Sequence, residues 1–197
     1  MEKAEAKATS NQPPMEREAD WRVYAGHDLG GLVNNAMGTI PDKPLETLET
    51  EDWHDAVKVD LSDMVTLCET LVDATGPVSI VNVSSIYGAM APDFSIYSDG
   101  RNPPSPIYAA TKAAQLQLSK HLALYWANKG VRVNAVCLGG VKQQQAPDFL
   151  EAYARMVPQR RMIEPQEAAD TICYLLSDRA SALTGDTLFV DGGRHAW

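Results

Sequence analysis

Two nearly continuous apolar runs constrain the fold of this chain more than any other feature. Residues Val78 to Ser85 and Val131 to Cys137 are rich in valine and isoleucine, and each follows a glycine or a proline. Strands that are apolar along their whole length have both faces covered, as in parallel sheets flanked by helices. Because helical patterns separate the two runs, the sequence predicts βαβ units and an α/β fold.

Shorter patterns complete the predicted architecture. A short strand begins near Gly31 and runs into a turn, and a last strand covers residues 187–190. Apolar residues spaced by three or four positions from Trp53 to Leu71 predict a helix whose N-cap is Thr50. Further predicted helices run from the cap Ser105 to Lys129, near 147–156, and from 165 to 176.

Composition limits the class of protein and its partners. With 45% hydrophobic and 22% charged residues, the 197-residue chain suits a soluble globular protein. A net charge of −9 argues against a nucleic-acid partner, and no apolar run approaches the roughly 20 residues that span a membrane. Residues 1–26 are polar and contain Pro13-Pro14, so we expect a tail there and one domain over 27–197.

The cysteines and histidines indicate no metal site. Cys68, Cys137 and Cys173 lack metal-ligand spacing, and they are predicted to be buried as small hydrophobic side chains. An odd number of cysteines without a secretory signal suits a reducing compartment, so a cytoplasmic location is expected. The four histidines form no ligand cluster along the sequence.

One group of polar residues has a spacing that suits proton transfer. Tyr108 and Lys112 stand four residues apart on a predicted helix, so they share one face. Ser85 ends a buried strand and can be brought against that face. A phenol whose pKa is lowered by an ammonium group can exchange a proton with a carbinol while a hydroxyl orients the carbonyl oxygen. The three residues therefore predict hydride-transfer chemistry, provided that a cofactor binds.

Five segments in register resemble the short-chain dehydrogenase/reductase family. The resemblance extends from about Gly31 to Gly193, which is most of the chain. It includes the catalytic-serine strand, the Tyr-x-x-x-Lys element and the C-terminal signature of that family. The matching segments are Leu32-Val33-Asn34-Asn35-Ala36, Val81-Asn82-Val83-Ser84-Ser85, Tyr108-Ala109-Ala110-Thr111-Lys112, Val131-Arg132-Val133-Asn134-Ala135-Val136, and Leu183-Thr184-Gly185 with Val190-Asp191-Gly192-Gly193.

The resemblance implies a partial Rossmann-like, doubly wound parallel sheet and an NAD or NADP cofactor. Ser85, Tyr108 and Lys112 fall at the family's catalytic positions. The implied cofactor contacts are Asn34 and Ala36 after the first strand, Tyr108 and Lys112, and Gly139 and Val141 after a later strand. The Asp191-Gly192-Gly193 segment is predicted to be a structural turn.

Three departures from the family pattern qualify this expectation. No glycine-rich phosphate-binding turn precedes Leu32, and 31 residues are too few for the missing strands, so the first βαβαβ half is predicted to be absent. Asp60 stands where the family usually has an asparagine that completes a proton path, and it is either a solvated helix residue or part of a modified path. Leu138-Gly139 replaces the usual Pro-Gly.

Two functions remain open from the sequence. The first is an oxidoreductase that acts on a small-molecule carbonyl or secondary alcohol. The segment Ser85-Ile86-Tyr87-Gly88 with Ala91-Pro92-Asp93-Phe94 resembles a bacterial branch associated with flagellin and surface-sugar modification, which points to a nucleotide sugar. The second is an inactive truncated homologue that serves as an interaction or oligomerisation module. Either protein is expected to form homo-oligomers, and the long loop 86–105 is expected to shape the substrate pocket.

Overall fold

The computed structural model of the protein describes residues 29–97 and 102–197. The predicted tail, residues 1–26, lies outside the described residues. Four parallel strands form one sheet in the order β1-β2-β3-β4, so strands that are consecutive in sequence are also neighbours in space. The predicted α/β class with a parallel sheet is confirmed. The strands are β1 (Gly31–Asn34), β2 (Ser79–Ser85), β3 (Arg132–Leu138) and β4 (Thr187–Val190).

Helices connect the strands and cover both faces of the sheet. The connection from β1 to β2 is continuously helical from Thr50 to Thr75, and the middle part of that helix has π-helical hydrogen bonding. The helices are α1 (Thr50–Val57), the π-helical segment Lys58–Asp63, α2 (Met64–Thr75), α3 (Pro106–Tyr125), α4 (Pro147–Arg155) and α5 (Pro165–Leu176). None of the helices in residues 29–97 and 102–197 is long and apolar enough to cross a membrane.

The ends of two helices differ from the prediction. Thr50 is the first residue of α1 and Glu49 is its N-cap, because the Asp52 carboxylate accepts a hydrogen bond from the Glu49 amide at 2.9 Å. The prediction of Thr50 as N-cap is therefore wrong by one position. Helix α3 ends at Tyr125, and a short 3₁₀ turn reaches Gly130, whose φ of 73° closes the segment. The N-terminal cap of α3 by Ser105 is confirmed.

Alternating side chains of the central strands pack into two apolar layers. Ile80 and Val133 face α2 and α3, where they contact residues such as Leu122. Val81 and Val136 point to the opposite face, where Leu175 of α5 covers them. This two-sided burial explains why β2 and β3 are apolar along their length.

One of the three cysteines is placed differently from the prediction. Cys68 and Cys137 are buried in the core, as expected, but Cys173 is exposed. The prediction of a buried Cys173 is wrong because its neighbours Ile172 and Leu175 supply the apolar face of α5 that packs on the sheet. Cys173 falls on the outer side of the same helix.

The segment after β2 forms a third apolar cluster with α4. Two short 3₁₀ turns, Ile86–Gly88 and Phe94–Ile96, interrupt the predicted loop. Ile96 packs against Tyr153, which lies in α4, and against Val157, which lies just after that helix. The described part of this segment therefore starts at the carboxyl end of β2 and packs against α4.

Candidate active site

The strand-end serine and the helix phenol meet at the carboxyl edge of the sheet. Ser85 is the last residue of β2, and Tyr108 lies in the first turn of α3. The Ser85 hydroxyl lies close enough to the Tyr108 hydroxyl to lower the pKa of the phenol. The Ser85 hydroxyl also accepts a hydrogen bond from the Tyr87 amide at 3.2 Å, which fixes its position. The structure thus brings these two predicted site residues together.

Burial dominates the electrostatics of the phenol. It raises the pKa of Tyr108 above its ordinary value, and the nearby Asp60 carboxylate adds to this, whereas the Ser85 hydroxyl lowers the pKa. The sequence-based expectation was a phenol pKa lowered by the ammonium of Lys112. That expectation is wrong for the described residues, because desolvation of the phenolate outweighs the favourable interactions.

Lys112 lies one turn further along α3 and is almost fully buried, with 5% of its surface exposed. Its Nζ lies 5.7 Å from the centroid of the Tyr108 ring. The ammonium donates to the main-chain oxygen of Val83 at 3.4 Å and to Oε1 of Gln115 at 3.1 Å. Burial lowers the pKa of Lys112, and Asp60 opposes this effect.

Asp60 lies in the π-helical segment and has no exposed surface. Its Oδ1 accepts a hydrogen bond from the Gly38 amide and its Oδ2 accepts one from the Thr111 hydroxyl, both at 2.8 Å. The same Oδ2 is 4.0 Å from Nζ of Lys112. Burial excludes the alternative of a solvated helix residue and places the carboxylate beside the predicted catalytic lysine.

Of the two cofactor contacts expected after β1, the Asn34 side chain is engaged within the protein and Ala36 is exposed. Asn34 ends β1, and its amide is engaged inside the protein, donating to Oδ1 of Asn82 at 2.7 Å and to Sγ of Cys68 at 3.2 Å. Ala36 lies two residues further in the turn and is exposed. The turn therefore offers its backbone and a small side chain at the carboxyl edge, rather than the Asn34 amide.

The expected contacts after β3 lie in a tightly held loop. A Cβ on Gly139 would lie 2.9 Å from Cα of Asp191, so a larger residue does not fit there. The Gly140 amide donates to the Tyr153 hydroxyl at 2.5 Å, and Val141 forms a parallel bridge with Ile163. The loop is thus fixed at the same edge of the sheet as Ser85.

These groups suit the nicotinamide and ribose end of a dinucleotide. The Tyr108 hydroxyl and the Lys112 ammonium can bond ribose hydroxyls, and the exposed turn at Ala36 and the Gly139 loop flank them. Within residues 29–97 and 102–197, no glycine-rich turn opens a helix to receive the phosphates. The same ranges contain no group of His, Cys, Asp or Glu side chains arranged to hold a metal ion.

Several site residues were not identified from the sequence. Thr111 and Gln115, buried on α3, bond the carboxylate and the main chain of Asp60, respectively. After β2, the hydroxyls of Tyr87 and Tyr97 lie 2.8 Å apart, and the Tyr97 ring lies 5.7 Å from that of Phe149. The only sequence signal for Gln115 is a polar residue three positions after Lys112 on a helix face that is otherwise buried.

The Asp191 turn is structural, as the sequence predicts. The buried Asp191 carboxylate accepts hydrogen bonds from the amides of Gly193 and His195 at 2.9 and 2.7 Å. The Nδ1 atom of His195 lies 2.8 Å from the same carboxylate, and its ring stacks on Phe189 with centroids 3.9 Å apart. The turn closes the end of β4 behind the Gly139 loop.

Comparison with known proteins identifies the family of the chain. The family model described as enoyl-(acyl carrier protein) reductase matches residues 19–195. Protein FixR of Bradyrhizobium diazoefficiens is 35% identical over 182 residues, which cover 87% of this chain and 61% of FixR. The chain thus spans less than two thirds of the length of this relative.

Two solved structures are similar over most of the chain. A short-chain dehydrogenase from Leptospira borgpetersenii with bound NAD+ is 32% identical, with a TM-score of 0.75 over 84% of this chain and 65% of the other. A gluconate 5-dehydrogenase from Burkholderia cenocepacia, in complex with NADP and tartrate, is 27% identical, with a TM-score of 0.73 over 85% and 65%. With its serine, tyrosine and lysine in one cluster, the chain belongs to the short-chain dehydrogenase/reductase family.

Proposed function

We propose that this protein is an oxidoreductase that transfers a hydride between NAD or NADP and a carbonyl or secondary alcohol. The observation that carries the proposal is the convergence of Ser85, Tyr108 and Lys112. The Ser85 hydroxyl lies close enough to Tyr108 to lower its pKa, and the Tyr108 ring lies 5.7 Å from the Lys112 ammonium. Membership of the family and neighbours with bound NAD+ or NADP support the proposal.

Each of the three residues has a chemical role in this reaction. The nicotinamide, when bound, supplies or accepts the hydride. Ser85 hydrogen-bonds the substrate oxygen, and Tyr108 gives a proton to that oxygen in reduction or takes it in oxidation. Lys112 holds the nicotinamide ribose and stabilises negative charge on the phenol. Because burial raises the pKa of Tyr108, the phenol is protonated at neutral pH, which favours its action as an acid in carbonyl reduction.

Residues on both sides of the cluster would complete the binding surfaces. The turn at Asn34 and Ala36 and the loop from Gly139 to Val141 would lie along the cofactor. Tyr87 follows Ser85 by two residues and its hydroxyl lies 2.8 Å from that of Tyr97, so these paired hydroxyls would suit a substrate with further polar groups. A nucleotide sugar, as in the flagellin and surface-sugar branch, fits this description, and we propose it as the first class to assay. We also propose a cytoplasmic homo-oligomer.

Cofactor binding and turnover by the purified chain test the proposal. NADH and NADPH fluorescence titrations should show saturable binding, and a carbonyl substrate should accelerate loss of absorbance at 340 nm. The Tyr108→Phe variant should retain binding and lose turnover by roughly 10²- to 10⁴-fold, since it removes the acid. Tyr125→Phe is a matched control, because Tyr125 is exposed at the end of the same helix.

Two results would contradict the proposal. Full turnover by Tyr108→Phe would remove the assigned acid. Absence of binding and turnover with every cofactor and substrate, in a folded chain, would instead favour the inactive homologue that acts as an interaction module.

A further inference from the structure

Gln115 occupies an unusual place for a polar residue in the middle of a helix. It lies three residues after Lys112 on α3, and only 2% of its surface is exposed. Both ends of its amide are used: Oε1 accepts a hydrogen bond from Nζ of Lys112, and Nε2 donates to the main-chain oxygen of Asp60, each at 3.1 Å. The side chain therefore bridges the ammonium and the π-helical segment directly.

The Asp60 carbonyl that accepts this contact lies in the π-helical segment. In a regular α-helix, the Met64 amide would bond the Asp60 oxygen. Here the Met64 amide bonds the oxygen of Leu61 instead. A buried carbonyl needs a partner, and Gln115 provides an N–H from the facing helix. The Gln115 side chain therefore joins α3 to the π-helical segment through the Asp60 carbonyl.

The contacts of Lys112 come from three parts of the structure: β2, the π-helical segment and α3 itself. Val83 of β2 supplies a main-chain oxygen, Gln115 supplies a side-chain oxygen, and the Asp60 carboxylate lies 4.0 Å away. Tyr108 lies one turn before it on the same helix. Apart from Lys112, the titratable groups in this set are Asp60 and Tyr108, because β2 contributes only a carbonyl. Gln115 thus supplies the shorter of the two hydrogen bonds that the ammonium makes.

Gln115 is itself held in place by a buried chain of hydrogen bonds. The Ser119 hydroxyl donates to the Gln115 main-chain oxygen at 2.7 Å, and the Asn82 amide donates to the Ser119 hydroxyl at 2.8 Å. Asn34 of β1 donates in turn to Asn82 at 2.7 Å. These contacts tie the middle of α3 to β1 and β2, so the main chain that carries Gln115 is held against the sheet.

We propose that Gln115 is a positioning residue of the site, whose side-chain amide holds the Lys112 ammonium beside Tyr108 and anchors it to the main chain of Asp60. The inference rests on the proposed function, because the position of Lys112 matters for proton transfer at Tyr108. In this chain, a side chain connects the Lys112 ammonium directly to the main chain of Asp60. A water molecule in place of the Gln115 amide would have to accept a hydrogen bond from the Lys112 ammonium and donate one to the Asp60 main-chain oxygen.

Titration of Lys112 tests this inference without cofactor or substrate. The lysine Cε signals of the folded protein are followed by NMR against pH, and Lys112→Arg identifies the signal. Gln115→Met keeps the size of the side chain but removes the acceptor, so the buried ammonium loses a hydrogen bond. The pKa of Lys112 should then fall by roughly one pH unit. Gln117→Met, on the exposed side of α3, is the matched control and should leave the titration unchanged.

A second variant keeps the test decisive if Gln115→Met does not fold. Gln115→Glu retains an acceptor and adds a negative charge, so the pKa of Lys112 should rise. Unchanged titration of Lys112 in a folded Gln115 variant would overturn the inference, even if stability changed. Absence of turnover in the wild-type protein would contradict the proposed function but would leave this titration result standing.

Discussion

Nζ of Lys112 and Oδ2 of Asp60 lie 4.0 Å apart, and their side chains are only 6% and 0% exposed. The pair joins α3 to the π-helical segment, together with the hydrogen bonds that Thr111 and Gln115 make to Asp60. Burial disfavours the ammonium, and the carboxylate partly restores it. The positive charge of Lys112 is therefore partly compensated by the Asp60 carboxylate inside the protein.

Removing the Asp60 side chain should destabilise the protein strongly. Asp60→Ala leaves the ammonium of Lys112 buried without its counter-charge and removes the acceptor of the Gly38 amide. Breaking a buried pair in this way costs about 3 to 5 kcal/mol of unfolding free energy, measured by urea denaturation. Asp63→Ala is the control, since Asp63 pairs with Lys58 on the surface and should matter little. Equal losses in the two variants would contradict the buried-pair interpretation.

The two serines at the end of β2 should have separable effects. Ser85→Ala removes the hydroxyl that lowers the pKa of Tyr108, so the phenol should titrate at higher pH, as measured by NMR of labelled tyrosine. Ser84 instead donates to the main-chain oxygen of Lys112 at 2.9 Å. Ser84→Ala should cost about 1 kcal/mol of stability and change the titration of Tyr108 less. A larger effect from Ser84→Ala would reverse the assignment of the two hydroxyls.

The parts of the site that the sequence predicts are those set by local patterns and parallel topology. Ser85 ends an apolar strand and Tyr108 begins a capped helix, and a parallel sheet brings such ends to one edge. Spacing by four residues then places Lys112 beside Tyr108. These inferences need no knowledge of distant contacts, which is why the structure reproduces the predicted cluster.

The remaining features depend on tertiary contacts that a sequence pattern does not contain. Gln115 bonds the main-chain oxygen of Asp60, 55 residues earlier in the chain, and a local pattern around Gln115 does not contain that contact. The exposed Cys173 has the same local pattern as a buried residue, and only packing of α5 on the sheet decides its side. The raised pKa of Tyr108 likewise reflects burial by residues far along the chain.

Gly88 should tolerate no side chain. A Cβ at this position would lie 2.6 Å from the main-chain carbon of Lys112, so the turn after Ser85 approaches α3 through a gap that only glycine permits. Gly88→Ala should push the turn away from α3, which lowers both thermal stability and turnover. Gly30→Ala is the control, because nothing lies within 4 Å of its Cβ position. A Gly88→Ala protein with wild-type melting temperature would show that the contact is not tight.

Alkaline pH should weaken the fold through the buried thiol of Cys68. Burial raises the pKa of this thiol from about 9 to about 11. Between these values the unfolded chain has lost the thiol proton while the folded protein retains it. Stability is therefore fully present below pH 9 and falls as the pH rises toward 11, by about 1.4 kcal/mol per pH unit and at most about 3 kcal/mol from this group.

Comparison of variants isolates this contribution from other groups that titrate in the same range, such as Cys137 and Tyr108. The free energy of unfolding is measured by urea denaturation at pH 9 and pH 10.5 for the wild type and for Cys68→Ala. The cavity lowers the stability of Cys68→Ala at both pH values, but the loss between them should be about 1.5 kcal/mol smaller than in the wild type. Cys173→Ala, which alters an exposed side chain, should lose as much as the wild type. An equal loss in Cys68→Ala would mean that the Cys68 thiol does not hold its proton in the folded protein above pH 9.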